Sequence, residues 1–371
     1  MHILLAPDSF KESLSAKQVA EALKKGFQEA LPDATFDLLP IGDGGEGTMD
    51  TLAGVLNLTK KHTQVTGPFG KPVSMAYYRK DEMAFFEMAS LVGLGSIPAE
   101  KRNPLELETR GIGELILQLV DQGVKTICVG IGGSATNDGG IGMAAGLGVA
   151  FYDDQGHLLR PVGASIGRVN RIDTSAVPKA LQDIELQVLT DVTNPLCGSQ
   201  GATYIFGGQK ELNPLLFPAV DQAMEDFYQL VDPRILSMAG AGAGGGMAAG
   251  LVAFAGGQIS SGIEKSLDLI DFDRKVQKAD LVVVGEGRMD LQSLSGKAPV
   301  GVAKRTPEKI PVLAICGGLA EDLPAFPSHH IEAAFSIVPG PCEVADALTH
   351  AEKNLISCAR NIGNLLKMKA N

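Results

Sequence analysis

Tryptophan is absent from the 371 residues, and aromatic residues make up only 5% of them. That disfavours stacking platforms for sugars or bases. Lysine and arginine form no long run, and the formal net charge is −11, so nucleic acid and anionic membrane surfaces are poor partners. No apolar run is long enough to span a bilayer, and MHILLAPDS has no charged leader before a long apolar stretch. The expected location is the cytoplasm, with no membrane and no nucleic acid among the partners. The five cysteines, Cys128, Cys197, Cys316, Cys342 and Cys358, are odd in number and contain no CxxC, which fits a reduced interior better than a disulfide framework. The six histidines show no zinc spacing, and His329-His330 reads as solvated surface. A Walker A loop is missing too: Gly296-Lys297 has Leu291 where the first glycine is required. No protein-kinase motif set is present.

Glycine is abundant, with 45 residues clustered in turns. The densest cluster organises the chain: Thr126 to Val129 reads as a buried strand, Gly130 to Gly142 as a glycine-rich turn, and the Ala/Gly/Met run after it as a close-packed helix. Strand, glycine turn and helix is how a backbone approaches an anion, because glycine removes Cβ and amides at a helix start point outward.

The flanks alternate strand and helix. Strands are expected at 3–6, 36–41, 281–284, 312–315 and 333–338, with helices from Ser15, from Thr48, over Ile263 to Lys278, after Arg288 to Lys304, and over Val344 to Leu366. Five such strands suit a flavodoxin-like, doubly wound parallel sheet. Between Lys61 and Phe86 the period changes to two, as in antiparallel hairpins. The expected fold is therefore α/β, a flavodoxin-like domain (1–66 with 260–371) split by an inserted second α/β domain with hairpin strands (67–259).

Carboxylates recur just after strands: Asp8, Asp43, Asp138, Asp191 and Glu286. Ligands of open parallel sheets gather outside the carboxyl ends of strands. Any one of these is explained by turn chemistry, but four of the five also stand beside glycine or an Asn-Pro. Asp43 and Asp138 open the repeated form DGGxG, in which glycine amides converge as an anion nest and the aspartate could hold a cation. Lys11, Arg110, Lys210, Arg288 and Lys297 flank the turns, and phosphoryl transfer needs such cations along the moving group. A rival reading uses Gly130, Gly132 and Ala135 as the dinucleotide fingerprint of a nicotinamide-dependent dehydrogenase, with Asp153 on the ribose. Against it, Asn137 to Gly140 falls where the first helical turn should be, and Asp138 would face a pyrophosphate. A non-catalytic sugar-acid binder is the third reading, and the carboxylates argue against it.

The stretches Ala6-Pro-Asp-Ser-Phe-Lys-Glu-Ser-Leu-Ser-Ala16, Asp43-Gly-Gly-Glu-Gly-Thr48, Gly130-Ile-Gly-Gly-Ser-Ala-Thr-Asn-Asp-Gly-Gly140, Asp191-Val-Thr-Asn-Pro-Leu196 and Gly285-Glu-Gly-Arg-Met-Asp290 with Gly296-Lys297 resemble the type I glycerate kinases, from Met1 to the last helix. The resemblance implies the same split flavodoxin-like architecture. It also implies ATP- and Mg²⁺-dependent phosphorylation of D-glycerate, within glycerate or glyoxylate metabolism, with 2-phosphoglycerate favoured over 3-phosphoglycerate. Within it the expected catalytic residues are Asp191, accepting or orienting the hydroxyl, Asp8 as second choice, and Lys11 and Lys297 on the moving charge. Arg288 is expected on the substrate carboxylate, with Asp290, Asn194 and Ser9 beside it. Gly132, Gly133, Ser134, Thr136 and Asn137, with Gly44 and Gly45, are expected to cradle the ATP phosphates. Asp43, Asp138 and Glu286 are expected to hold Mg²⁺. Phe206-Gly-Gly-Gln-Lys-Glu211 departs from the family's frequent Phe-Gly-Pro-Gln-Lys-Gly. Oligomeric state is left open, a homo-oligomer included.

Overall fold

The structure, a computed structural model, describes residues 1–42, 47–294 and 296–370. Two compact units divide them: residues 1–42, Asp50–Asn57 and 262–370 form the first, and 47–49 with Leu58–Ser261 the second.

Five parallel strands make the first unit's sheet, in the order Ala333–Ser336, Val312–Cys316, Leu281–Val284, His2–Leu5, Thr35–Leu38. Counted along the chain this is 5-4-3-1-2, the expected flavodoxin-like winding. Leu281-Val-Val-Val sits near the middle because both faces are covered: all four residues are buried, and parallel strands so enclosed read as continuous apolar runs. The register sets Ile3 beside both Leu281 and Phe36. Helix Ala16–Ala30 starts on a reciprocal cap, Ser15 Oγ accepting from the Gln18 amide and the Gln18 side chain accepting from the Ser15 amide. Its buried face, including Leu23 and Phe27, packs with Ile3, Leu5, Val283 and Leu355 in one core. A Cβ at Gly26 would stand 2.3 Å from the Ile356 carbonyl, so only glycine lets helices Ala16–Ala30 and Ala351–Ala370 approach this closely.

A mixed six-stranded sheet forms the second unit, in the order Gln258–Ser260, Glu185–Leu189, Thr126–Gly130, Met83–Glu87, Pro72–Lys80, Thr59–Thr66. The first four run parallel and the last two are the expected antiparallel hairpins. Phe86, Ile127, Val129, Leu186, Val188 and Leu251 lie in its core. A second cluster forms around Phe151, Met224, Phe227 and Tyr228. Among the described residues no helix is long and apolar enough to cross a membrane.

Several boundaries differ from expectation. Thr59–Thr66 pairs along its whole length with Pro72–Lys80, so the first unit's early segment ends at Asn57 and not at residue 66. The helix expected over 263–278 is two, Gly262–Leu269 and Phe272–Val276, broken where Asp271 takes a φ of 57°. The last helix is likewise two, Val344–Thr349 and Ala351–Ala370. Gln258–Ser260 was not anticipated as a strand; three residues are too few to show a period.

Candidate functional site

The order of strand addition in the first unit reverses between the parallel neighbours His2–Leu5 and Leu281–Val284, where doubly wound folds open a crevice beyond the strands' carboxyl ends. Pairing continues past both strands there. The Ala6 amide donates to the Val283 carbonyl and the Asp8 amide to the Gly285 carbonyl, both at 2.8 Å. This carries Asp8 and Glu286 out side by side onto one cavity of about 600 Å³, within the usual size range of ligand sites. Lys11, Arg288 and Lys297 line the same cavity, as does Ser9.

Three glycines make the juxtaposition sterically feasible. A Cβ on Gly285 would stand 2.2 Å from the Ile315 carbonyl, one on Gly317 2.2 Å from the Gly287 carbonyl, and one on Gly287 3.3 Å from the Lys11 amide. The Gly317 and Gly318 amides donate to the Glu286 and Gly287 carbonyls at 3.0 Å, extending into the short parallel pair Arg288–Met289 with Gly318–Leu319. The glycines of Gly-Glu-Gly-Arg thus let loop backbones meet, and the charged residues between them line the cavity. Lys297 stands just before helix Ala298–Arg305. Asp290 accepts from the Ser293 amide at 3.0 Å, capping Leu291–Leu294. Burial alone would raise its pKa, but that bond and nearby Lys297 hold it below the ordinary value. Its observed partners belong to a helix start.

The glycine loop of the second unit is built for a different purpose. Residues 134–142 are all buried. Asp138 is fully buried and takes hydrogen bonds from the Thr109 hydroxyl (2.7 Å) and the amides of Gly140 (3.0 Å) and Gly142 (3.4 Å). Burial raises its pKa against those bonds. A carboxylate so enclosed clamps the turn, which removes Asp138 from the expected metal set. The amides of Ala135 and Asn137 already donate to Val92 and Pro104 (2.7 and 3.0 Å), so of the expected phosphate cradle the Asn137 amide is engaged internally. Gly132 and Gly133 are the accessible part of the loop. The glycines here serve packing with the second glycine loop: a Cβ on Gly245 would stand 2.0 Å from the Thr136 carbonyl and one on Gly246 2.7 Å from Gly139 Cα, while the Gly139 amide donates to the Gly245 carbonyl. The dinucleotide reading fails on the same geometry. The next helix begins at Ile141, not directly after Gly130-x-Gly132, and Asp153 accepts from the amides of Gln155 and His157, closing its own turn.

Lys210 is buried against this loop, its ammonium donating to Ser134 Oγ (2.9 Å) and the Thr136 carbonyl (2.6 Å). Burial lowers its pKa to about 7 despite the counter-charge of Asp138. Asn137 Nδ2 donates to Thr203 Oγ1 at 3.0 Å. At the family departure, Glu211 takes a φ of 65° and its carboxylate meets Arg102 at 3.0 Å. Asp191 follows strand Glu185–Leu189 and accepts from Ser261 Oγ at 2.7 Å. Asn194 donates to the Gln200 carbonyl at 2.8 Å, bracing its own loop.

Asp8, Ser9, Lys11, Glu286, Arg288 and Lys297 therefore come together, while Asp138, Asp191, Asn194 and the 132–137 loop belong to the second unit. Asp43, Gly44 and Gly45 lie outside the described residues. Sequence reasoning missed the aliphatic side of the cavity, Ile337, Val338, Val344 and Leu348. The strand-end rule that found Asp8 would have found the first two, had apolar residues been sought with it.

A charged crevice at the switch point of a doubly wound sheet is where α/β proteins of this class bind small ligands. Comparison with known proteins sharpens this. Residues 3–367 match the glycerate kinase family. A glycerate kinase from Neisseria meningitidis serogroup B is 56% identical over 99% of both chains. The glycerate 2-kinase of Escherichia coli K12 is 40% identical over 99% of this chain and 98% of its own. A crystal structure assigned as glycerate kinase 2 from Salmonella typhimurium LT2 superposes with a TM-score of 0.86 at 40% identity, covering 100% of this chain and 99% of that one. The chain belongs to the glycerate kinase family and is a phosphotransferase enzyme, with ATP implied as co-substrate.

Proposed function

We propose that this chain transfers the γ-phosphoryl group of ATP to D-glycerate with Mg²⁺, and that the switch-point cavity of the first unit holds the reacting groups. The observation that carries the reading is that two carboxylates, Asp8 and Glu286, and three cations, Lys11, Arg288 and Lys297, line one cavity. Phosphoryl transfer asks for little else, because its catalysis is positioning and charge stabilisation.

Among the described residues no three His, Cys, Asp or Glu side chains form a metal site. Mg²⁺ commonly takes one or two protein carboxylates and completes its shell with substrate phosphates and water. Asp8 and Glu286 fit that donor set, with Asp8 moved here from its expected role as proton acceptor. Bound there, the ion would neutralise charge on the phosphate oxygens. Lys11 and Lys297 offset the charge of the transferring group. The planar fork of Arg288 suits the glycerate carboxylate. Asp191 lies in the second unit and does not line this cavity, and its expected role on the hydroxyl proton stands as a separate proposal. The 2-hydroxyl is the favoured acceptor, a choice supported by the name of the Escherichia coli relative.

³¹P NMR of a reaction containing ATP, Mg²⁺ and D-glycerate tests reaction and position together. The expected product is 2-phosphoglycerate; a 3-phosphoglycerate resonance overturns the position, and unchanged ATP overturns the reading.

A further inference from the structure

The cavity is larger and less polar at one end than a three-carbon hydroxy acid can use. Its charged end lies beyond the strands His2–Leu5 and Leu281–Val284. Its other end lies beyond the neighbouring strands Val312–Cys316 and Ala333–Ser336, where the chain continues as Ile337 and Val338 and returns through Val344 and Leu348. Val344 is 73% exposed and Cys342 is exposed, Val338 and Leu348 are half-buried, and Ile337 is buried. Apolar side chains left accessible on a concave wall mark a ligand surface. The wall is tied to the charged end, since Ser13 Oγ donates to the Leu348 carbonyl at 2.7 Å and Ser13 itself lines the cavity.

Glycerate offers a carboxylate and two hydroxyls, and gains almost nothing from an aliphatic wall. A purine has two flat apolar faces that do. A nucleotide whose phosphates lie at Asp8 and Glu286 and which follows the row of strand ends reaches this wall with its base. The glycine loop of the second unit lacks such a surface: residues 134–142 are buried and the amides of Ala135 and Asn137 are engaged.

We propose that Ile337, Val338, Val344 and Leu348 bind the purine ring of the nucleotide, so that the first unit holds the base. The inference rests on the phosphotransferase reading and deepens it. Cys342 supplies a reporter, because it lines the cavity and is exposed while Cys128 and Cys316 are buried. N-ethylmaleimide labelling with peptide mapping follows it separately from Cys197 and Cys358.

Saturating ATP is expected to slow Cys342 alkylation by about fivefold or more, as mass action dictates well above Kd. Adenosine should protect as well, whereas inorganic tripolyphosphate and D-glycerate should not. Val344→Asp, at an exposed position, should raise KM for ATP roughly tenfold with an unchanged thermal transition, while KM for glycerate moves less than about twofold. A wild-type chain that turns over ATP with glycerate, but whose Cys342 reacts equally fast with and without nucleotide, overturns the base site alone. Protection by tripolyphosphate equal to that by ATP assigns the effect to phosphate and overturns it too. A wild-type chain with no ATP turnover overturns the phosphotransferase reading and this inference with it.

Discussion

Glu286 and Asp138 each follow a buried parallel strand, and each stands in a glycine-bearing motif. In the first unit Glu286 emerges onto an open cavity beside Asp8. In the second Asp138 is enclosed, with both oxygens bonded to groups of its own unit. The glycines differ in the same way. Gly285, Gly287 and Gly317 bring loop backbones together under a cavity, whereas Gly139, Gly140, Gly245 and Gly246 interlock two loops inside a core. One residue pattern serves as a site in one unit and as packing in the other. What separates them is whether the carboxylate is enclosed by its own unit or opens onto a cavity.

Substitutions in either loop test this contrast. Gly245→Ala places a Cβ 2.0 Å from the Thr136 carbonyl at a φ of +70°. Overpacking and strain together should cost about 4 kcal/mol. Urea unfolding followed by circular dichroism measures this, and a wild-type midpoint would mean the loops do not interlock. Glu286→Gln should instead leave stability within about 1 kcal/mol and lower kcat/KM on the order of 10²- to 10³-fold. A fully active Glu286→Gln enzyme would remove Glu286 from the reaction. Asp191→Asn should reduce kcat about a hundredfold with little change in KM for ATP, and near-normal turnover would strike Asp191 from the mechanism.

The smallest effect is a pH dependence. Lys210 has an ordinary value of 10.5 and is lowered by burial to about 7 in the folded chain. Between those values the unfolded chain binds the extra proton, so folding stability should rise with pH in that window. The slope is on the order of 1 kcal/mol per pH unit at most. Asp138, its coulombic neighbour, acts with the opposite sign: its raised value favours the folded chain at low pH and loses that contribution as pH rises. Thermal melts at several pH values should show the wild-type transition rising relative to Lys210→Met from about pH 7 upward; parallel curves would place the lysine in solvent.

Much of the first unit was readable in advance. Leu281-Val-Val-Val and the other short apolar runs announce buried parallel strands because both faces of such a sheet must be covered. The helices between them then fix a doubly wound arrangement. Charged residues just beyond those strands pointed to the cavity for the same geometric reason. The unit boundary was misplaced because Thr59–Thr66 is a largely exposed edge strand, whose polar residues carry little core signal. The aliphatic cavity wall escaped notice because Val344 and Leu348 lie on segments beyond the last strand, where no local pattern links them to Asp8.

Chain order, apolar periodicity and the motif-bearing strand ends were written in the residues themselves, since each depends on neighbours a few positions apart. The roles of the glycine-associated carboxylates were not. Thr109, twenty-nine positions before Asp138, closes over one carboxylate, while Gly285 and Gly317 bring separate loops beneath another. Whether an aspartate becomes a clamp or a ligand depends on burial and on partners distant in sequence, and these exist only once the chain has folded.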